Sequence, residues 1–204
     1  MRSAIRFVVA VACVGALAGC SSTGGTRQQQ IHAAAAVYAD EPYKVLIVDR
    51  TKFDDRFQPT VVPAPVAEAP GTILVDTASR LLYLIEPGGK ARRYGIAVGA
   101  AGHRWSGVAK VGRKAPWPAW YPTDEMRTEA PDLPQRIEPG SHNPLGARAL
   151  YLYEDGRDTL YRIHGTSEPW TIGTEASSGC IRMLNEDVID LYGRVALGAK
   201  VIVR

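Results

Sequence analysis

Between Ile163 and Met183 the chain places His164 sixteen residues before Cys180 and sets the cysteine among small residues and a cation: Ser177-Ser178-Gly179-Cys180-Ile181-Arg182. A free thiol ionises near pH 8.5, and its thiolate is the nucleophile, so near neutral pH it needs an adjacent base or positive charge. His164 can supply that base. Gly179 lets the chain turn tightly before the cysteine, so the amides of Ser178, Gly179 and Cys180 can converge on one point, where an oxyanion would sit. Arg182 offers a planar fork suited to a substrate carboxylate. Together these residues describe acyl transfer with Cys180 as nucleophile and His164 as base. The cysteine and histidine alone fit a bland reading equally well, an inert buried thiol and a satisfied core imidazole; the flanking residues tell against it. One Cys/His pair falls short of the usual four zinc ligands, so neither a metal nor a cofactor is expected.

The cysteine count sharpens this reading. The first nineteen residues carry Arg2 and Arg6, then the apolar stretch Phe7–Leu17, then small residues before Cys20. The apolar part is shorter than the roughly 20 residues that span a bilayer, so residues 1–19 read as a secretory signal. Leu17-Ala18-Gly19-Cys20 followed by Ser21-Ser22 resembles a bacterial lipobox, which implies lipidation of Cys20 and anchoring in the cell envelope, with Ser21 fitting the outer membrane better than the inner. A plain signal cut elsewhere is the alternative. With Cys13 removed and Cys20 lipidated, Cys180 stands alone in an oxidising compartment, where an idle thiol is a liability. Loss of Arg2 and Arg6 brings the formal charge from +3 to +1. No polybasic arm or stripe points to nucleic acid.

These residues need elements to hold them. Residues 20–69 read as a lipid-attached tether and extended arm: polar and Ala-rich to about Ala36, Pro- and Ala-rich from Pro59 to Pro70, with an arm between that can dock on the domain. The folded unit, 70–204, is expected to be mainly β. Thr72–Asp76 and Leu81–Glu86 form a hairpin, followed by strands at Arg93–Val98, Val108–Gly112, Leu150–Tyr153, Leu160–His164 and Lys200–Val203, with Glu154-Asp155-Gly156-Arg157 as a turn between two of them. Two short helices are expected, one from Thr123 to Ala130 capped by Thr123, and one capped by Asn185 with Val188, Ile189, Leu191, Tyr192 and Val195 on one apolar face. Trp105, Trp117 and Trp120 could wall a sugar-binding cleft or simply pack. His32, His103 and His142 read as surface or loop residues.

His164-Gly165-Thr166, Trp170, Ile172-Gly173, Ser177 and Gly179-Cys180-Ile181-Arg182-Met183 stand in the order that identifies this stretch as similar to the catalytic domain of the L,D-transpeptidases, the YkuD-like family. The resemblance covers about Pro70 to Arg204 and implies that family's β-sandwich with one or two short helices. One position departs: Ser178 stands where most members have a second histidine. Gly165, where some carry serine, leaves only a backbone carbonyl to orient the imidazole.

The resemblance implies that Cys180 attacks the bond between the third residue of a peptidoglycan stem tetrapeptide and its terminal D-alanine. The acyl group would pass to another stem, giving a 3-3 cross-link, or to an envelope protein. Water as acceptor would make the protein an L,D-carboxypeptidase. A non-catalytic peptidoglycan-binding module is a further alternative, which Ser178 alone favours. A papain-like amidase has its cysteine before its histidine, the reverse of the order here.

Overall fold

The computed structural model describes residues 27–100, 105–177 and 179–204. The leader, Cys20, His103 and Ser178 therefore lie outside the described residues. In chain order the elements are α1 (Arg27–Ala36), β1 (Thr60–Pro63), β2 (Ile73–Asp76), β3 (Leu81–Glu86), β4 (Lys90–Gly95), β5 (Val98–Gly99) and β6 (Gly107–Pro116). They continue with α2 (Asp124–Glu129), β7 (Arg148–Glu154), β8 (Arg157–His164), β9 (Glu175–Ser177), β10 (Ile181–Arg182), α3 (Asn185–Arg194) and β11 (Lys200–Val203). The chain is mainly β with few helices, as expected.

Nine strands form one sheet in the order β1-β4-β3-β2-β11-β6-β7-β8-β10. The sheet curls until its ends meet: Ala97, just past β4, exchanges two 2.9 Å backbone hydrogen bonds with Arg182 of β10. β5 continues the same segment and pairs in parallel with β9. One apolar cluster fills the interior, running from Leu82, Leu84 and Tyr94 through Leu150, Leu152 and Ile163 to Val188 and Leu191 of α3. β3 is apolar on successive residues, Leu81 to Ile85, because both its faces are covered: Leu82 and Leu84 point inward, while Leu81 packs outward with Phe57. Two-sided burial is what such a run signifies.

The expected hairpin is β2–β3, and the turn at Asp155-Gly156 joins β7 to β8 with positive φ at both residues. Thr123 caps α2 as expected, its Oγ accepting from Met126 N. Two expectations need correction. Leu184, not Asn185, is the N-cap of α3, and Asn185 uses its side chain elsewhere. Residues 20–69 are not simply tether and arm. Arg27–Ala36 is helical, because Arg, Gln and Ala look low in complexity yet are the strongest helix formers. Thr60–Pro63 joins the sheet as an edge strand on β4, where Pro63 ends the strand.

The arm is clamped to the domain. Val45 and Phe57 are buried, Glu41 pairs with Arg148 and accepts from Trp117 Nε1, and Arg50 Nη1 donates to Asp187 Oδ2 at 3.2 Å in the first turn of α3. Trp117 is thus a packing residue. Burial raises the Asp187 carboxyl to about 6, with Arg50 opposing. Its native value lies above its unfolded one, so it favours the fold when protonated and costs stability as pH rises through 6. Arg50→Ala leaves that carboxylate without its partner. It should lower the unfolding free energy by about 2 kcal/mol at pH 8, with the deficit shrinking below pH 6, measured by denaturant titration at both pH values.

Candidate active site

β8 ends at His164, whose carbonyl accepts from Met183 N at 2.8 Å, while Gly165 N donates to Arg148 O at 3.0 Å. β10 lies parallel to β8, with Ile181 opposite Ile163 and Arg182 opposite His164. Paired residues on neighbouring strands project to one face. Ile163 and Ile181 enter the core, so His164 and Arg182 share the opposite face. Continued by one residue, this register brings Cys180 alongside Arg162, on the same face as His164 and displaced from it by two positions along the strand. Such diagonal neighbours lie about 7–8 Å apart at Cα, a gap that the two side chains can close.

His164 is buried, at 4% exposure, and its Nδ1 lies 2.6 Å from the carbonyl of Gly165. A carbonyl only accepts, so Nδ1 carries the hydrogen and Nε2 presents its lone pair. Burial pushes the imidazole down to about 4; the Gly165 carbonyl opposes this, and the charges of Arg182 and Arg162 add to it. Near neutral pH this ring is an uncharged base. Glycine suits position 165, because a Cβ there would force Oδ1 of Asn185 to shift.

Cys180 is partly exposed, and its Sγ donates to the carbonyl of Leu160 at 3.9 Å. Burial raises the thiol, while a backbone hydrogen bond from Arg162 and the charges of Arg162 and Arg182 work the other way. The resting pair is therefore a neutral thiol and a neutral imidazole, not a thiolate and an imidazolium. Gly179 precedes the cysteine with φ 124°, a conformation that side chains rarely adopt, which meets the expectation of a tight turn. Ser178, expected to share in the oxyanion amides, lies outside the described residues.

Arg182 stands beside both reactive groups, but its fork is already engaged, since Nη1 donates to Glu168 Oε2 at 2.8 Å. Glu168 is about half exposed, and the neighbouring Trp170 is 71% exposed. Arg162 is pinned by Asp158 through two bonds of 2.7 and 3.0 Å and lies over the ring of Tyr151. Trp105 stacks on Tyr161 at 5.6 Å between centroids.

Three contributors escaped the sequence reading. Asn185 accepts from Ala147 N at 2.9 Å and donates to Thr166 O at 2.8 Å, locking the turn behind His164. Glu168 and Leu160 each touch a site group. Glu168 follows Thr166 by two residues, and Leu160 lies four residues before His164 on β8, but only the folded register shows what they face.

A partly exposed thiol just before one strand and an uncharged, tautomerically fixed imidazole at the end of its neighbour are the residue types that cysteine acyl transfer employs. Residues 70–203 match the L,D-transpeptidase catalytic domain, YkuD, and the chain belongs to that family. Among curated relatives, the "Probable L,D-transpeptidase ErfK/SrfK" of Salmonella typhimurium is 35% identical over 153 residues, covering 71% of this chain and 46% of that protein. The "Probable L,D-transpeptidase YbiS" of Escherichia coli strain K12 is 34% identical over 152 residues, covering 71% and 47%. The chain thus spans about half the length of these relatives. A crystal structure described as a "Probable carnitine operon oxidoreductase caia" from Brucella melitensis is 47% identical with a TM-score of 0.51, covering 76% of this chain and 99% of that one. That name belongs to a different enzyme class, and a shared fold does not by itself fix chemistry.

The imidazole's depressed value has a thermodynamic consequence. As pH falls from 6.5 toward 4, the unfolded chain binds a proton at His164 that the native state refuses. The native state therefore loses about 3 kcal/mol from this group between pH 7 and pH 4. His164→Gln should be spared that loss, which shows as a shallower decline of unfolding free energy with acid than in the wild type.

Proposed function

We propose that this protein is a peptidoglycan L,D-transpeptidase in which Cys180 is the nucleophile and His164 the base. The observation that supports this most strongly is the β8–β10 register, which, continued by one residue, puts Cys180 on the same face as His164 within a domain of the matching family. Cys180 Sγ attacks the carbonyl carbon of the third residue of a stem tetrapeptide, and the thiol proton passes to His164 Nε2. The oxyanion is held by the amides of Gly179 and Cys180, with that of Ser178. As the C–N bond breaks, the imidazolium returns its proton to the amine of the departing D-alanine, leaving a thioester. An acceptor amine then attacks the thioester carbonyl, gives its proton to His164 and expels the thiolate, which is reprotonated. Another stem as acceptor gives a 3-3 cross-link, and a lysine of an envelope protein gives attachment.

Arg182 is the group for a substrate carboxylate, and Glu168 competes for it. An incoming carboxylate competes with Glu168 Oε2 for Nη1 of the fork. For the whole chain, the leader and the Leu17–Cys20 sequence support export and lipid anchoring of the domain through Cys20 in the cell envelope, with the outer membrane favoured by Ser21.

Incubation with defined muropeptides, followed by mass analysis, tests the activity. Released D-alanine together with a 3-3 dimer supports transpeptidation. D-alanine release without a dimer makes the protein a carboxypeptidase, and folded protein without product leaves a binding module. Cys180→Ala should abolish product while shifting the thermal midpoint by no more than a few degrees, because a partly exposed thiol contributes little packing. A large fall in the midpoint would mark a structural cysteine. Glu168→Gln should lower the KM for the stem peptide about threefold with kcat little changed, read from initial rates, since it removes the internal competitor for Arg182.

A further inference from the structure

β7 and β8 pair residue for residue except at one place, where Tyr151 opposes Arg162 and Tyr153 opposes Asp158. Leu152 alone therefore faces Thr159, Leu160 and Tyr161, so β8 carries two extra residues. Within this bulge Leu160 has φ 64°, and its side chain is 63% exposed. An exposed leucine gains no packing from a conformation that L side chains avoid, and strain of this kind persists only where its surroundings enforce it.

The hydrogen bonds of the bulge show what enforces it. Thr159 Oγ1 donates to Leu152 O at 2.8 Å and accepts from Tyr161 N at 3.2 Å, so one hydroxyl replaces the interrupted ladder. Leu160 N donates to Asp158 Oδ1 at 2.9 Å. The carbonyl of Leu160 is thereby turned away from β7, and Cys180 Sγ donates to it at 3.9 Å. Two residues further on, the Arg162 backbone supplies the hydrogen bond that favours the ionised sulfur. The bulge and the residue directly after it thus meet the sulfur in both of its protonation states.

We infer that the β8 bulge is the seat of the Cys180 sulfur, and that Leu160 is a positioning residue whose left-handed backbone, not its side chain, sets the nucleophile. The inference rests on Cys180 being the reactive thiol. With the proton on sulfur, the thiol rests against Leu160 O. When the proton moves to His164 Nε2, the electron pair stays on sulfur and the Arg162 N–H receives it. Bulges beside active sites commonly re-aim a group in this manner.

The test is a substitution series at Leu160 in the full chain, read as the rate of Cys180 alkylation by iodoacetamide against pH, with the thermal midpoint as a folding control. Glycine and asparagine tolerate positive φ, whereas valine does not. Leu160→Gly and Leu160→Asn should alkylate within twofold of the wild type at pH 7. Leu160→Val should alkylate about tenfold more slowly, its half-titration displaced upward by about one pH unit. Should Leu160→Val fail to fold, Leu160→Ala against Leu160→Asn decides, with alanine the slower. Equal loss in the glycine and valine variants would make the side chain responsible and overturn the inference, as would an unchanged rate in the valine variant. Alkylation needs no transpeptidase turnover, so the predicted order in a protein inactive on muropeptides would sink the proposed function and leave the seat standing.

Discussion

The two-residue parallel pairing of β10 with β8 is the constraint on which the rest depends. Ile181 and Ile163 drive into the core together, and because alternate residues of a strand face opposite ways, the residues on either side of them are delivered to the other face as a set: Cys180, Arg182, Arg162 and His164. A slip of one residue would bury the reactive groups and expose the isoleucines. The register is held from three directions. Arg182 is bonded to Ala97 across the closure of the sheet, Met183 N donates to His164 O, and Asn185 ties Ala147 to Thr166 behind the histidine.

The electrostatics follow from that placement. His164 is buried and stands near two guanidinium groups, so protonating it is costly despite the Gly165 carbonyl, and the ring is neutral near pH 7. Cys180 is held as a thiol by burial, while the Arg162 backbone and the charges of Arg162 and Arg182 reduce the cost of ionising it. In the mechanism we propose, proton transfer between two neutral groups creates charge only at the moment of attack. Asp158 and Glu168 temper these cations, each holding one guanidinium in place.

Much of this was legible in the sequence because it was local. The hairpin of β2 and β3, the turn at Asp155-Gly156, the Thr123 cap and the amphipathic α3 are each fixed by residues a few positions apart. The Gly165 carbonyl as partner of the imidazole was likewise visible, since it belongs to the next residue. What was missed depends on distance along the chain. Asn185 reads as a cap because asparagine is favoured there, but its side chain satisfies two backbone groups, one of them 38 residues away. Arg27–Ala36 looked like a tether because composition hides helix propensity, and the bulge at Leu160 has no local mark, since two extra residues appear only against the strand they fail to match.

The central claim is that the His164 imidazole takes the proton of the Cys180 thiol. Single-turnover acylation of Cys180 by a carbapenem, followed by intact-protein mass from pH 4 to 9 in the wild type and in His164→Ala, tests it most directly. The wild type should remain reactive down to about pH 5, with its acid limb near 4, and His164→Ala should be slower by about 10²-fold or more while still folded. Equal acylation rates in the two proteins at every pH would contradict the account.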